Sequence, residues 1–369
     1  MKKSAIVIDW IGFSYGIYID VYLYQKTLEC DVVWVSCHDE TRTYRPEKFR
    51  KVYDELLCKY DRLYFDETEF FGFLLPGQKA ANQQIYYSKH LDISPVVDHT
   101  AYYQGLHLVD AVIAKTKDVE RYYRAIQEKF GYSFQIISTK FTSLDYSKVL
   151  AERVHFQVAN PFKGQEAVII PAHILILKEI PLPPTIPTNY VGDGSFLSFG
   201  RKNLPMITSF WNEHQNNDRL PKLYIKSYCE NGVVTEEEMG NLAACKANPK
   251  IEILDRYISE SEKAELYNRC TFFINASPSE GYGHNINEAR STGRIILVFD
   301  REPMNELIDP DCGIIMSSIG DGVSRAIQLS KEEVLRKMKR TRERYVEDTE
   351  SFQETFKTIK KLEILQALK

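Results

Sequence analysis

Short apolar runs separated by amphipathic stretches recur along this chain, and that alternation restricts its fold more than any other feature. In the first half, "SAIVID" (4–9), "DVVWVS" (31–36), "DRLYF" (61–65), "SPVVD" (94–98), "DAVIA" (110–114) and "FQIIS" (134–138) read as strands. Between them lie helical stretches, the clearest being "KDVERYYRAIQEKFG" (117–131), which is apolar every three to four residues and ends at a glycine. Strands alternating with helices define a mostly parallel sheet covered on both faces.

A chain of 369 residues exceeds the ~250–300 at which a single core stops growing, so two domains are expected. The stretch 171–194 carries Pro171, Pro181, Pro183, Pro184 and Pro187 and ends in Gly192 and Gly194. Proline fixes φ and removes backbone donors, so this stretch reads as an interdomain connection. Beyond it the alternation resumes with strands at 195–200, 222–227, 251–255, 271–277, 294–300 and "GIIMS". Helices fall around "LPMITSFWNEH", "EEEMGNLAACK", "SESEKAELYNRC", Asn285 and "MNELI". Ser259 and Glu262 have the spacing of a capping box. The expected division is an N-terminal Rossmann-like domain (1–188), a C-terminal one (189–345) and a helical tail (346–369) that packs back on the first domain. Two such halves facing across a cleft place ligands where strand carboxyl ends converge.

Charge and cysteine usage exclude several classes. The net charge of −4 and pI near 6.1 give no footprint for nucleic acid. The tail from Lys331 is rich in basic residues, but interleaved glutamates make it a solvated helix face, with peripheral membrane contact the alternative. Seven cysteines, scattered and without a C-x-x-C pair, suggest neither a disulfide framework nor zinc and fit a reducing, cytoplasmic setting. The start "MKKSAIVIDWIGF" has the charge of a signal peptide, yet Asp9 interrupts its apolar run, so it reads as a first strand. No apolar stretch approaches the ~18 residues a membrane-spanning helix needs.

The segment "SPSEGYGHNINEARSTG" (277–293) carries the chemistry. A buried strand, "TFFINAS", leads into a turn whose Gly281 and Gly283 permit φ > 0 and close approach of backbone to a ligand. The helix that follows points free N–H groups and a partial positive charge at the same place, which suits a phosphate. Glu288 lies one turn into that helix, where its carboxylate can accept two hydrogen bonds from a ribose diol. Glu280, before the glycines, reaches the other side of the phosphates, where a sugar would lie.

These residues resemble the Glu-x7-Glu signature of retaining glycosyltransferases of the GT-B fold, family 4 type. Pro278, Ser279, Glu280, Gly281, Tyr282, Gly283, Glu288, Ala289 and Gly293 match it, and "RIILVFDREPMNELIDPDCGIIM" is similar to the strand, Pro-x-x-Glu-Leu helix start and turn that come next. The resemblance is strong from about 195 to 317 and architectural before that. It implies Glu280 on hydroxyls of the donor sugar, Glu288 on the nucleotide ribose, and amides around Gly283, His284 and Asn285 on the diphosphate. It also implies a cation after the first strand of the second domain, and Arg201 of "SFLSFGRKNLPM" stands there. The later lysine of the family is absent; Lys202, adjacent, and Lys163 of "ANPFKGQE" are the candidates to replace it.

His99 of "SPVVDHTAY" matches a family histidine near the transferred sugar, with a strand-end cap as the alternative. Gly12 and Gly16 of "DWIGFSYG" correspond to the acceptor-side loop, although the paired glycines are missing. Arg256 and Tyr257 of "DRYIS" fall where the family holds the base, although a tyrosine in such a chain more often packs in a core. "DPD" (309–311) lies in a turn after a helix and is not read as a metal site. The expected activity is metal-independent, cofactor-free transfer of a sugar, with retention, from a nucleoside-diphosphate sugar to a hydroxyl acceptor. An epimerase, a phosphorylase or a catalytically silent sugar-nucleotide-binding module is the alternative. A nicotinamide dehydrogenase is disfavoured because no G-x-G-x-x-G follows the first strand.

Overall fold

A computed structural model describes residues 3–9, 15–36, 46–66, 83–88, 105–147, 149–153, 167–170, 177–181, 192–199, 203–227, 240–277, 280 and 283–367. The chain divides into two compact units. The first comprises Met1–Phe141, Arg153–Lys178 and Glu350–Lys369; the second comprises Thr142–Glu152 and Glu179–Thr349.

In the first unit, strands β1 (Ser4–Asp9), β2 (Asp31–Val35), β3 (Arg62–Asp66), β4 (Gln84–Ser88), β5 (Ala111–Ala114) and β6 (Gln135–Ser138) join β8 (Ala167–Ile170) in one sheet. Its order is β6-β5-β4-β3-β1-β2-β8. All pairings are parallel except β2 with β8. Apolar residues run consecutively through β1, and Ala5, Ile6 and Val7 are wholly buried, as expected for a strand covered on both faces. Helices α1 (Tyr15–Leu28), α2 (Pro46–Lys59) and α3 (Lys117–Phe130) accompany the strands. The α3 helix starts where the Thr116 hydroxyl accepts from the Val119 amide and stops at Gly131, whose φ of 69° is left-handed.

Four strands among the described residues were not anticipated from the sequence. The expected strand at 94–98 lies outside the described residues, whereas β4, "QIYYS", was not anticipated because its polar residues mask a short apolar centre. The edge strand β8 was likewise missed, and the proline-rich 171–194 stretch is not wholly irregular. Within it β9 (Leu177–Pro181) pairs with β7 (Val149–Arg153) in a two-stranded sheet where the chain passes between units. Pro181 ends β9, a position that demands no ladder donor from it.

The second unit is built on an all-parallel sheet of β10 (Phe196–Phe199), β11 (Leu223–Lys226), β12 (Ile251–Leu254), β13 (Phe272–Asn275), β14 (Ile295–Phe299) and β15 (Gly313–Met316). Its order is β12-β11-β10-β13-β14-β15, that of a nucleotide-binding Rossmann domain. Its helices are α4 (Leu204–Glu213), α5 (Leu242–Ala247), α6 (Glu260–Arg269), α7 (His284–Ser291), α8 (Met304–Leu307), α9 (Ile319–Ile327) and α10 (Lys331–Ala367). Phe196 stacks on Phe272 at 4.7 Å and meets Trp211 of α4 edge-on at 5.3 Å, and the Trp211 indole donates to the Pro221 carbonyl. The Ser259–Glu262 capping box forms at the start of α6. Arg256 donates to Glu262 and, with the Ser259 amide, lowers that carboxyl's pKa to about 2.

The basic stretch of α10 is largely a solvated face, as its interleaved charges suggested, and is laced with ion pairs. Arg336 pairs with Asp311, Arg340 with Glu347, Arg342 with Asp145 and Arg344 with Asp309. Asp309 also accepts from the amides of Asp311 and Cys312, so the first carboxylate of "DPD" organises the turn. The helix belongs to the second unit up to Thr349 and to the first from Glu350, where Phe352 and Phe356 pack on Tyr24 and Lys360 pairs with Glu29.

Arg294, between α7 and β14, is buried and donates to the carbonyls of Asn268, Cys270 and Thr292, tying the ends of α6 and α7 together. Burial pulls its pKa down to about 10. Replacing Arg294 with alanine leaves those buried carbonyls without their donor and is expected to cost about 3 kcal/mol of unfolding free energy. A urea titration of the variant against the parent measures this.

Candidate functional site

In a sheet ordered as in the second unit, β10 and β13 are the neighbours from which successive strands diverge. Ligands bind outside the carboxyl ends of such a pair, in the crevice at the switch point. The turn after β13 therefore carries Glu280 to this place, and Arg201 follows the end of β10 in the chain.

Asn275 closes β13 and is wholly buried. Its amide nitrogen donates to Glu280 Oε1 at 2.8 Å, while its amide oxygen accepts from the Ser277 N–H at 2.9 Å. One side chain thus shapes the turn and aims the carboxylate, which is 8% exposed. Sequence reasoning passed over Asn275, though its signal was present: a lone amide ending the apolar run "TFFIN".

Helix α7 begins at His284, one residue earlier than expected. Gly283 precedes it with a left-handed φ of 64° and offers no side chain to cap the first amides. A Cβ there would stand 3.2 Å from Leu307 and 3.3 Å from Ile286, so both conformation and space favour glycine. The His284 ring is buried, with Nδ1 at 3.1 Å from the Ser143 hydroxyl. The Asn285 carbonyl accepts from the Tyr267 hydroxyl at 3.3 Å.

Glu288 does not present an open carboxylate. It is 0% exposed, and its Oε2 accepts from the Tyr267 hydroxyl at 2.8 Å and from the Lys263 ammonium at 2.7 Å. The Lys263 ammonium also lies over the rings of Tyr146 (5.1 Å), Phe199 (5.7 Å) and Tyr267 (6.0 Å). Nothing in the spacing of "SESEKAELYNRC" marked Lys263 and Tyr267 as partners of Glu288, because the pairing joins two helices through a strand and its turn.

Arg256 and Tyr257 sit in the loop between β12 and α6. The arginine is paired with Glu262 at 2.7 Å, and the tyrosine is 50% exposed, so it is not a core ring. Gly16 is the second residue of α1 rather than part of a loop. Gly12, His99, Lys163, Arg201, Lys202, Gly281 and Tyr282 lie outside the described residues. Among the described residues, no cluster of histidine, cysteine and carboxylate side chains could hold a metal ion. No helix there is long and apolar enough to cross a membrane.

No family model matches the chain, and no curated protein does. Solved structures match throughout. Sucrose-phosphate synthase from Thermosynechococcus elongatus superposes with a TM-score of 0.67 at 12% identity over 100% of both chains. Anabaena HepE in complex with UDP gives 0.64 at 12% identity over 99% of both. The pneumococcal O-GlcNAc transferase GtfA, in complex with UDP and GlcNAc, gives 0.56 at 16% identity over 87% of this chain. The chain spans 61% of GtfA and 54% of TarM, another match. At these identities the likeness establishes the fold: two Rossmann-like domains of the GT-B class.

The Glu288–Lys263 pair makes a quantitative expectation. Glu288→Ala leaves a buried ammonium without its carboxylate and should cost about 3–5 kcal/mol. The double variant Glu288→Ala, Lys263→Met should recover much of that loss. Chemical denaturation of the three variants gives the coupling directly.

Proposed function

We propose that this protein is a retaining glycosyltransferase that moves a sugar from a nucleoside-diphosphate sugar to a hydroxyl acceptor. The observation that carries the reading is the Asn275-held carboxylate of Glu280 beside the Gly283-initiated helix, at the switch point of a GT-B nucleotide-binding domain. HepE and GtfA, which share the fold, are described with UDP bound, and GtfA with GlcNAc. The α7 amino terminus supplies positive potential for the diphosphate, and Arg201 adds a charge that stabilises the leaving group. Glu280 orients the donor sugar through its hydroxyls. Glu288, held by Lys263 and Tyr267, anchors the helix whose amino terminus faces the diphosphate. Tyr257 and Arg256 border the base, and His99 the transferred sugar.

The chemistry follows a front-face course. The bond from the anomeric carbon to the phosphate oxygen breaks, the acceptor oxygen bonds to that carbon on the same face, and the acceptor proton passes to the departing phosphate. Metal is not required, because helix amides and arginine carry the developing charge.

A panel of nucleoside-diphosphate sugars screened by thermal shift, followed by assays of hydrolysis and transfer with the stabilising donor, tests this reading. Glu280→Ala should lower kcat/KM by about 100-fold or more while circular dichroism is unchanged. Absence of turnover in the parent with a donor that stabilises it would leave a binding module, equal turnover in parent and variant would remove Glu280 from the chemistry, and no stabilisation by any donor at millimolar concentration would defeat the reading.

A further inference from the structure

Helix α7 carries Glu288 one turn beyond its first residue, His284, where an open carboxylate could take both hydroxyls of a ribose. In this chain the carboxylate is closed off. Glu288 is wholly buried, and its Oε2 accepts from the Tyr267 hydroxyl at 2.8 Å and from the Lys263 ammonium at 2.7 Å. The rings of Tyr146, Phe199 and Tyr267 face the same ammonium. Tyr267 contacts both of the other rings, each at 5.5 Å between centroids, and Tyr146 is fixed in turn by donating its hydroxyl to Glu260. Lys263 is thus enclosed by an aromatic cage and a carboxylate, with its side chain 10% exposed.

A ribose diol could reach Glu288 Oε2 only by taking the place of the ammonium. That exchange replaces a charge-assisted bond with bonds from neutral hydroxyls, and it strands a buried ammonium without its carboxylate. The rings attract the cation and oppose its departure as well. All three effects act in one direction, so the ion pair persists when a nucleotide arrives.

We propose that this protein does not read the ribose diol of its nucleotide, and takes deoxyribonucleoside diphosphates as readily as ribonucleoside diphosphates. The inference rests on the transferase reading and specifies its donor class. Affinity comes from the diphosphate and the base, and the pentose is a spacer between them.

Calorimetric titration of the full chain with UDP, GDP, ADP and CDP identifies which nucleotide it binds. The 2′-deoxy and 2′,3′-dideoxy forms of that nucleotide then remove the hydroxyls from the ligand while the protein stays intact. All three forms should bind within about threefold of one another, whereas a carboxylate holding the diol would lose about tenfold for each hydroxyl removed. Lys263→Ala releases the carboxylate, so in that variant the ribonucleotide should bind about tenfold more tightly than its dideoxy form. A loss beyond about threefold in the parent overturns the proposal and leaves the transferase reading standing. A folded Lys263→Ala protein as indifferent to the hydroxyls as the parent also overturns it, because the ion pair would then not be the cause. If Lys263→Ala does not fold, the parent series decides alone. If none of the four nucleotides binds, the transferase reading fails and this inference with it.

Discussion

Strand β10 pairs with β13 although β11 and β12 intervene in the chain, and the organisation of the second unit depends on this non-local pairing. The stacked rings of Phe196 and Phe272 lock the two strands at their shared beginning. Because both run parallel, their outgoing loops leave the same edge of the sheet. Because later strands are added on one side and earlier ones on the other, those loops part and leave room for a ligand. Side chains of quite different sequence position, Phe199 and Asn275 among them, acquire a common edge from that one register.

The helix that would receive the diphosphate is fixed along its length. At its start, Gly283 sets the backbone and Ser143 engages His284. In its middle, Glu288 is held by Lys263 and Tyr267. Toward its end, Arg290 donates to Asn287 and to Asp348 of α10, each at 2.6 Å, and Arg294 joins the Thr292 carbonyl beyond it to those of Asn268 and Cys270 at the end of α6. Buried charges are a costly way to build a scaffold, but each removes a way for the helix to shift. Catalysis by oriented dipoles depends on that rigidity, since dipoles that must reorganise during reaction stabilise less.

The local signals in the sequence proved dependable where local physics decides the outcome. Apolar runs gave the six strands of the second sheet, Ser259 and Glu262 gave a cap, and Gly131 gave a helix stop. They failed where an element owes its existence to its partners. Residues 84–88 form a strand because β3 and β5 flank them, and 167–170 because the edge of β2 is open to them. The site shows the same division. The placement of Glu280 and Gly283 follows from spacing in one short segment, whereas the enclosure of Glu288 needs a lysine from the preceding helix, and no periodicity announces such a contact. Asn275 is intermediate: it was visible as a polar residue closing an apolar strand, and only the turn's geometry gives it a task.

The passage of α10 from one unit to the other bears on how the chain reaches its folded state. Tyr24, in the first helix, is buried against Phe352 and Phe356 near the other end of the chain. During synthesis the strands of the first unit emerge early, but this part of its core must wait until more than three hundred further residues have been made. The N-terminal unit is thus first to appear and among the last to be finished. Until α10 arrives, an aromatic surface on α1 stays uncovered, exposed to the wrong partners as much as to the right one.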